Sequence, residues 1–270
     1  MKISVIIPTY NRYTLLKRAI LSVYSQSYLA TEIIVIDDCS TDDTKQITQD
    51  FPNIKYFHQV NKGVSSARNL GIKKASYDWI AFLDSDDEWC EDKLLKQINY
   101  HKKNRNILMT YTDEEWIRDG KKVKIPKKFK KIGKDVLKEN LSYCNIAPSS
   151  VLIHKKLFDN YGLFDEDLKV CEDYDLWLRI SMSEKIGLLD EKLIRKYAGH
   201  EEQLSFKYWG MDRFRVFSLE KVFKIAKDEK KETIKKELFK KYSLLYKGAI
   251  KYDRIAQINL YSRKMIEYSH

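Results

Sequence analysis

The sequence predicts an α/β protein: a mostly parallel central sheet flanked by helices, followed by a helical extension at the C-terminus. Two patterns carry this. Early in the chain, short β-branched runs alternate with amphipathic helical stretches, as expected of a parallel sheet covered on both faces. From Tyr208 onward the spacing turns helical and rich in Lys and Tyr.

The elements follow in order. "ISVIIP" (Ile3–Pro8) reads as a buried strand stopped by proline. From Tyr13 to Tyr24, Leu15, Leu16, Ala19, Ile20 and Val23 fall on one helical face. "EIIVIDD" (Glu32–Asp38) is a second strand. Ser40 and Thr41, backed by Asp42 and Asp43, read as the cap and first turn of a helix reaching Gln49. "IKYFHQ" (Ile54–Gln59) is a third strand, and Val64, Ala67, Leu70, Ile72 and Ala75 predict a helix that Gly71 weakens. "DWIAFLD" (Asp78–Asp84) is a fourth strand, ahead of a helix from Asp92 to Lys103. The second half is mixed. Ile107–Ile117 reads as one arm of a hairpin turned at Asp119-Gly120, then come a lysine-rich loop and the acidic helix "CEDYDLWLR" (Cys171–Arg179).

The 270 residues suffice for one large domain or one domain with an appendage, and 43% hydrophobic content implies a real core. Four scattered cysteines without a C-x-x-C pair argue against zinc ribbons and dithiol redox chemistry, and suit a reducing compartment. The apolar run before Pro8 is too short for a signal peptide, and no stretch approaches the roughly 18 apolar residues of a membrane span. The expected location is cytoplasmic. The net charge of +11 is uneven: Lys207–Lys264 holds 17 Lys/Arg, against 8 Asp/Glu between Asp212 and Glu267, and Lys121–Lys138 holds nine lysines against one Asp. This reads either as a solvated lysine-rich surface or as a seat for an anionic membrane or substrate. No nucleic-acid-binding motif accompanies it, so nucleic acid is not an expected partner.

Parallel sheets bind ligands beyond the carboxyl ends of their strands. Thr9-Tyr10-Asn11, Asp37-Asp38, Asp84 and Asp86 all fall there. In "WIAFLDSDDEW" four carboxylates crowd into Asp84-Ser85-Asp86-Asp87-Glu88, and such charges repel unless a cation offsets them. Asp87 and Glu88 read as a solvated start to the next turn. Asp84 and Asp86 point to a divalent cation with phosphate ligands, because magnesium and manganese prefer oxygen. Neither G-x-x-x-x-G-K-[ST] nor G-x-G-x-x-G occurs, so a metal would have to neutralise much of a phosphate's charge. Arg68 either assists or is an exposed helix arginine. On the acidic helix Glu172 and Asp175 share a face while Asp173 points elsewhere. A carboxylate there is either a general base, with Arg179 as an ion-pair partner, or an acidic first turn favoured by the helix dipole. His200 is a ligand or a lone histidine with local partners. Ser149-Ser150 lacks a G-x-S-x-G elbow and is discarded as a nucleophile.

Six ordered motifs, "SVIIPTYNR", "EIIVIDDCSTDDT", "NKGVSSARNLGI", "DWIAFLDSDDEW", "GLFDEDL" and "CEDYDLWLR", resemble the inverting glycosyltransferases of family 2 from about Lys2 to Ser205. The resemblance implies a GT-A fold, with residues 1–206 catalytic (1–105 nucleotide-binding, 106–206 acceptor-side) and 207–270 a basic helical extension. It implies that Pro8, Thr9, Tyr10, Asn11, Asp37, Asp38, Arg68, Asp84 and Ser85 bind the nucleotide of a UDP-sugar donor. Asp86, with His200, would hold Mn2+ or Mg2+; Asp173 would be the base, assisted by Glu172. The implied acceptor is a glycan or lipid-linked saccharide. The Q-x-x-R-W motif of processive synthases is missing after the acidic helix, so one sugar per encounter is expected. The basic helices would lie on the inner face of the cell membrane or form a homodimer interface. A sugar nucleotidyltransferase normally carries a Gly-rich basic loop where this chain has "PTYNR"; a glycoside hydrolase leaves the Asp37-Asp38 pair without a purpose. A non-catalytic homologue would fail to hydrolyse any nucleotide-sugar.

Overall fold

Strand β1 (Ile3–Thr9) has no exposed residue and lies inside the sheet, with β2 (Glu32–Asp37) and β4 (Trp79–Phe82) parallel on its two sides. The computed structural model describes residues 1–131, 133, 135–197 and 208–269. Strand β3 (Lys55–His58) continues the parallel pairing outside β2. On the other side of β4 come β8 (Leu152–His154), β6 (Met109–Arg118), β9 (Gly187–Tyr197) and the two-residue β5 (Glu88–Trp89), giving the order β3-β2-β1-β4-β8-β6-β9-β5. Strand β7 (Lys121–Val123) forms the expected hairpin with β6, turned through Asp119 and Gly120, both at positive φ. The pairings among β1 to β4 are all parallel. In the second half β8 runs against both β4 and β6, so the sheet is mixed there. The chain winds outward from β1 to β3 and then opens the other side with β4. That reversal is the switch point where such sheets keep a crevice.

The period-2 alternation of the strands divides the core. Val5, Ile7, Ile33, Val35, Ala81 and Leu83 pack with helices α1 (Tyr13–Tyr24) and α4 (Lys93–Lys103) on one face. Ile6, Ile34, Ile36, Ile80 and Phe82 face α3 (Val64–Lys74), α6 (Lys156–Tyr161) and α7 (Glu172–Ser181). Gly71, which weakens the α3 pattern in sequence, is required by packing: a Cβ there would lie 2.4 Å from the Ile6 side chain. The helix expected after Ser40 differs. Asp42 is its cap, accepting from the Thr44 amide, and it breaks into a 3-10 turn (Asp43–Gln46) and one α-turn, α2 (Ile47–Asp50). Ser40 and Asn11 instead bind each other across the loops after β2 and β1.

Helix α7 is apolar on two sides. Leu176, Trp177 and Ile180 face the sheet; Tyr174 and Leu178 join a separate core with α5 (Val136–Ser142) and three C-terminal helices, α8 (Asp212–Ile225), α9 (Asp228–Lys251) and α10 (Ile255–Glu267). The basic extension therefore packs directly behind the acidic helix. Its buried Lys241 donates to the Ser142 carbonyl and to Asp212, tying α9 to α5 and α8. None of the described helices is long and apolar enough to cross a membrane.

Candidate active site

The loops after β1, β2 and β4 meet along one sheet edge. Asn11, held at positive φ, accepts from the Thr41 amide and donates its own amide to Ser40, which joins the first two loops. Asp37, 2% exposed, accepts from the Ser40 amide and from the Tyr56 hydroxyl. Asp38 accepts from Gln59 and from the Lys62 and Gly63 amides, and so fixes the turn leading into α3. Thr9 is buried with its Oγ1 lacking a hydrogen-bond partner among the described residues, while Tyr10 is half-exposed beside it.

The acidic tip of β4 is neutralised from several directions. Arg68 emerges from α3 only 3% exposed and bridges Asp84 at 2.7 Å and Glu172 at 2.6 Å. It is thus no exposed helix arginine: one guanidinium joins the strand tip to the acidic helix. Burial works against its charge, yet Asp84 and then Glu172 raise its pKa above the ordinary value. Asp86 pairs with Arg12 at 3.1 Å, and its carbonyl accepts from Arg18. Ser85 is buried.

Asp87 and Glu88 are not a solvated turn. Asp87 is buried, accepts from the Ser149 hydroxyl at 2.6 Å, and has its pKa raised by burial and then by Asp86. Ser149 also accepts from the Asp84 amide, so this discarded nucleophile shapes the acidic tip instead. Glu88 belongs to β5 and accepts from the Tyr197 hydroxyl.

Helix α7 starts from Cys171, whose φ of 65° turns the chain sharply into the acidic run. Glu172 faces Arg68; burial and then Asp173 raise its pKa to about 7 against the opposing pull of Arg68. Asp175 takes different partners, Arg179 and Lys221. Asp173 is half-buried in the wall of a cleft of about 190 Å3, and its Oδ2 accepts from the Cys144 thiol at 3.4 Å. Lys196, on β9, lines the same cleft. Burial alone would lower its pKa, but Glu114, Asp87, Asp84 and Asp173 hold it above the ordinary lysine value. Lys196 is not singled out in the sequence, and the buried Asp87 reads there as solvated. For Lys196 the available signal is alternation: it shares a strand face with Ile194, which is fully buried.

Among the described residues no three metal-ligating side chains converge, and His200 lies outside the described residues. Asp84 and Asp86 offer partly exposed carboxylate oxygens. Hard cations with substrate phosphates use one or two such groups, so this donor set fits magnesium or manganese.

An acidic edge at the switch point, joined by one arginine to an acidic helix beside a cleft, places the molecule among the GT-A glycosyltransferases. The chain belongs to glycosyl transferase family 2, whose model matches residues 4–162. Staphylococcus aureus TarS shares the fold: one structure aligns with 90% of this chain and 44% of its own at TM-score 0.71 and 22% identity. Its 1–349 fragment in complex with UDP-GlcNAc aligns over 100% of this chain and 92% of its own at TM-score 0.67 and 21% identity. An uncharacterised glycosyltransferase of Rickettsia conorii is 38% identical over 195 residues, covering 71% of this chain and 32% of that protein. The chain thus spans about a third of that relative's length. An Escherichia coli relative, UDP-Glc:alpha-D-GlcNAc-diphosphoundecaprenol beta-1,3-glucosyltransferase WfgD, is 34% identical over 191 residues, covering 70% of this chain and 73% of its own.

Proposed function

We propose that this glycosyltransferase moves a single sugar, with inversion, from a UDP-sugar to a hydroxyl of a glycan or lipid-linked acceptor in cell-surface polysaccharide or glycoconjugate assembly. One observation carries the reading: Arg68 ties Asp84 to Glu172, and the next residue, Asp173, lines the adjoining cleft. Donor edge and candidate base are thereby fixed relative to each other. The Escherichia coli relative's name, with UDP-glucose as donor and a diphosphoundecaprenol acceptor, supports the donor and acceptor classes.

In this mechanism the loop Pro8–Asn11, Asp38, Asp84 and Ser85 seat the nucleotide, with Asp37 buttressing Asp38 through the Ser40 turn. Asp86, with Asp84, would hold Mn2+ or Mg2+, which when bound neutralises charge on the departing diphosphate. Asp173 takes the proton of the acceptor hydroxyl as that oxygen attacks the anomeric carbon from the face opposite the UDP. The new glycosidic bond forms as the bond to the diphosphate oxygen breaks. Arg68 and Lys196 add fixed positive charge where negative charge develops, and Glu172, held by Arg68, keeps Asp173 in place.

Incubation with a panel of UDP-, GDP- and dTDP-sugars plus manganese tests the donor: slow release of UDP from at least one UDP-sugar is expected. In the same assay Asp86→Ala should lose metal-dependent donor binding by tenfold or more. Unchanged metal-dependent binding in that variant would remove Asp86 from the metal site.

The extension supports a seat on the cytoplasmic leaflet beside a lipid-linked acceptor. It exposes Phe217, Leu244, Ile250 and Leu260 on a lysine-rich surface. The protein should sediment with anionic liposomes at low salt and be released as salt rises. If it stays in the supernatant at low salt, these helices have another role, such as a homodimer interface.

A further inference from the structure

The cleft beside Asp173 is built in a way that the transfer reaction alone does not require. Trp116, on β6, and Phe129, in a short 3-10 turn of the lysine-rich loop, form one wall with ring centroids 5.6 Å apart. Both rings are half-buried, and Lys128 lies over one face of the Phe129 ring at 5.1 Å. The indole is locked in place: its Nε1 donates to Glu114 at 2.6 Å, and Lys131 pins the other Glu114 oxygen at 2.7 Å. Burial opposes the Glu114 charge, but Lys131 and Lys196 bring its pKa down to about 2. Lys196 stands beside Trp116 in the parallel β6–β9 pairing.

The polar side of the cleft carries a group left over by the fold. Asn145 is 8% exposed and lines the cleft. Its Nδ2 donates to the Glu139 carbonyl at 3.0 Å, which sets the amide orientation, and its Oδ1 has no partner among the described residues.

Resting on the reading of the chain as a sugar transferase, we propose that this cleft is the subsite for the acceptor's terminal sugar, a single neutral pyranose lying on Trp116 and Phe129. A pyranose has an apolar C–H face that stacks on aromatic rings and an equatorial rim of hydroxyls that hydrogen-bonds. The wall matches the first and Asn145, Lys196 and Asp173 match the second. The volume of about 190 Å3 takes one ring. Glu114 is balanced by Lys131 and Lys196, so the buried charges of the wall do not call for a charged sugar. Because the indole is fixed before binding, little side-chain freedom is lost when the sugar docks.

The test uses saturation-transfer NMR of the whole chain with methyl β-glycosides of glucose, galactose and N-acetylglucosamine, and UDP affinity measured alongside. The wild type should bind at least one glycoside, with saturation strongest at its ring C–H protons. Trp116→Ala should weaken that binding at least tenfold while leaving UDP affinity unchanged; Trp209→Ala, on an exposed surface tryptophan, should leave both unchanged. Should Trp116→Ala bind the glycosides as the wild type does, or should no glycoside bind a wild type that binds UDP, the subsite is wrong. A wild type that neither binds UDP nor turns over any nucleotide-sugar would instead overturn the transferase reading beneath it.

Discussion

Asp173→Asn should reduce sugar transfer by roughly 100- to 10,000-fold, the range a positioned general base contributes, with donor affinity close to wild type. The size follows from how the two acids at the start of α7 are used. Glu172 is buried and committed to Arg68, which makes it a poor partner for an acceptor hydroxyl. Asp173 keeps an open side in the cleft and takes only a weak thiol hydrogen bond at Oδ2. An amide at position 173 preserves shape and the hydrogen bond from the Tyr174 amide but has no basic oxygen to accept the acceptor's proton. Transfer measured at saturating donor and acceptor separates this from a binding defect: the loss belongs in kcat. Near-normal kcat would mean that another group, or solvent, takes the proton.

The sequence revealed the parallel half of the sheet because local signals suffice there. Ile3–Thr9 and Glu32–Asp37 are continuous apolar strands, and α1 keeps its stripe from Tyr13 to Tyr24. What escaped depends on distant contacts. Asp87 reads as solvated because the hydroxyl that buries it, on Ser149, lies 62 residues away. The strand Gly187–Tyr197 is interrupted by Asp190, Glu191 and Lys192, which are exposed, so its pairing with β6 overrides a weak local pattern. With that strand unseen, Lys196 had no site to belong to. Asp175 shares a predicted face with Glu172, but its partner Lys221 comes from a helix whose docking no local period announces.

The same distinction explains the crowded carboxylates. Sequence alone leaves a divalent ion as the natural way to offset Asp84 and Asp86. The fold adds its own cations: Arg68 on Asp84, Arg12 on Asp86, and Lys196 near Asp84 and Asp87. The acidic edge is therefore charge-paired by the fold itself. Under the proposed function, a metal-diphosphate ligand would enter a site whose carboxylates are already oriented, which would limit the reorganisation needed at the reacting centre.

Arg68→Met is the substitution expected to damage the fold as well as the reaction. Removing one partner of a buried ion pair costs about 3–5 kcal/mol, because the remaining charge is left without compensation. Here two carboxylates lose the same partner. The melting temperature should fall on the order of 10 °C for a chain of this size, and transfer should be lost even below that temperature, since Arg68 is hydrogen-bonded to both Asp84 at the tip of β4 and Glu172 on α7. The deficit should also depend on pH in a definite sense. Glu172 titrates at about 7 in the folded chain against an ordinary value of 4.5. An acid whose folded pKa is the higher one binds more protons folded than unfolded, so its contribution to stability falls as pH rises through that window. Without Arg68 the folded value moves higher still. The variant should therefore lie nearest to wild type around pH 5 and furthest from it around pH 8. Adding Glu172→Gln removes the stranded charge, and the double variant should recover a large part of the lost melting temperature at pH 8 while remaining inactive. Thermal unfolding of the three proteins at both pH values decides it: a pH-independent deficit, or a double variant less stable than Arg68→Met, would show that the arginine's role is packing and not charge.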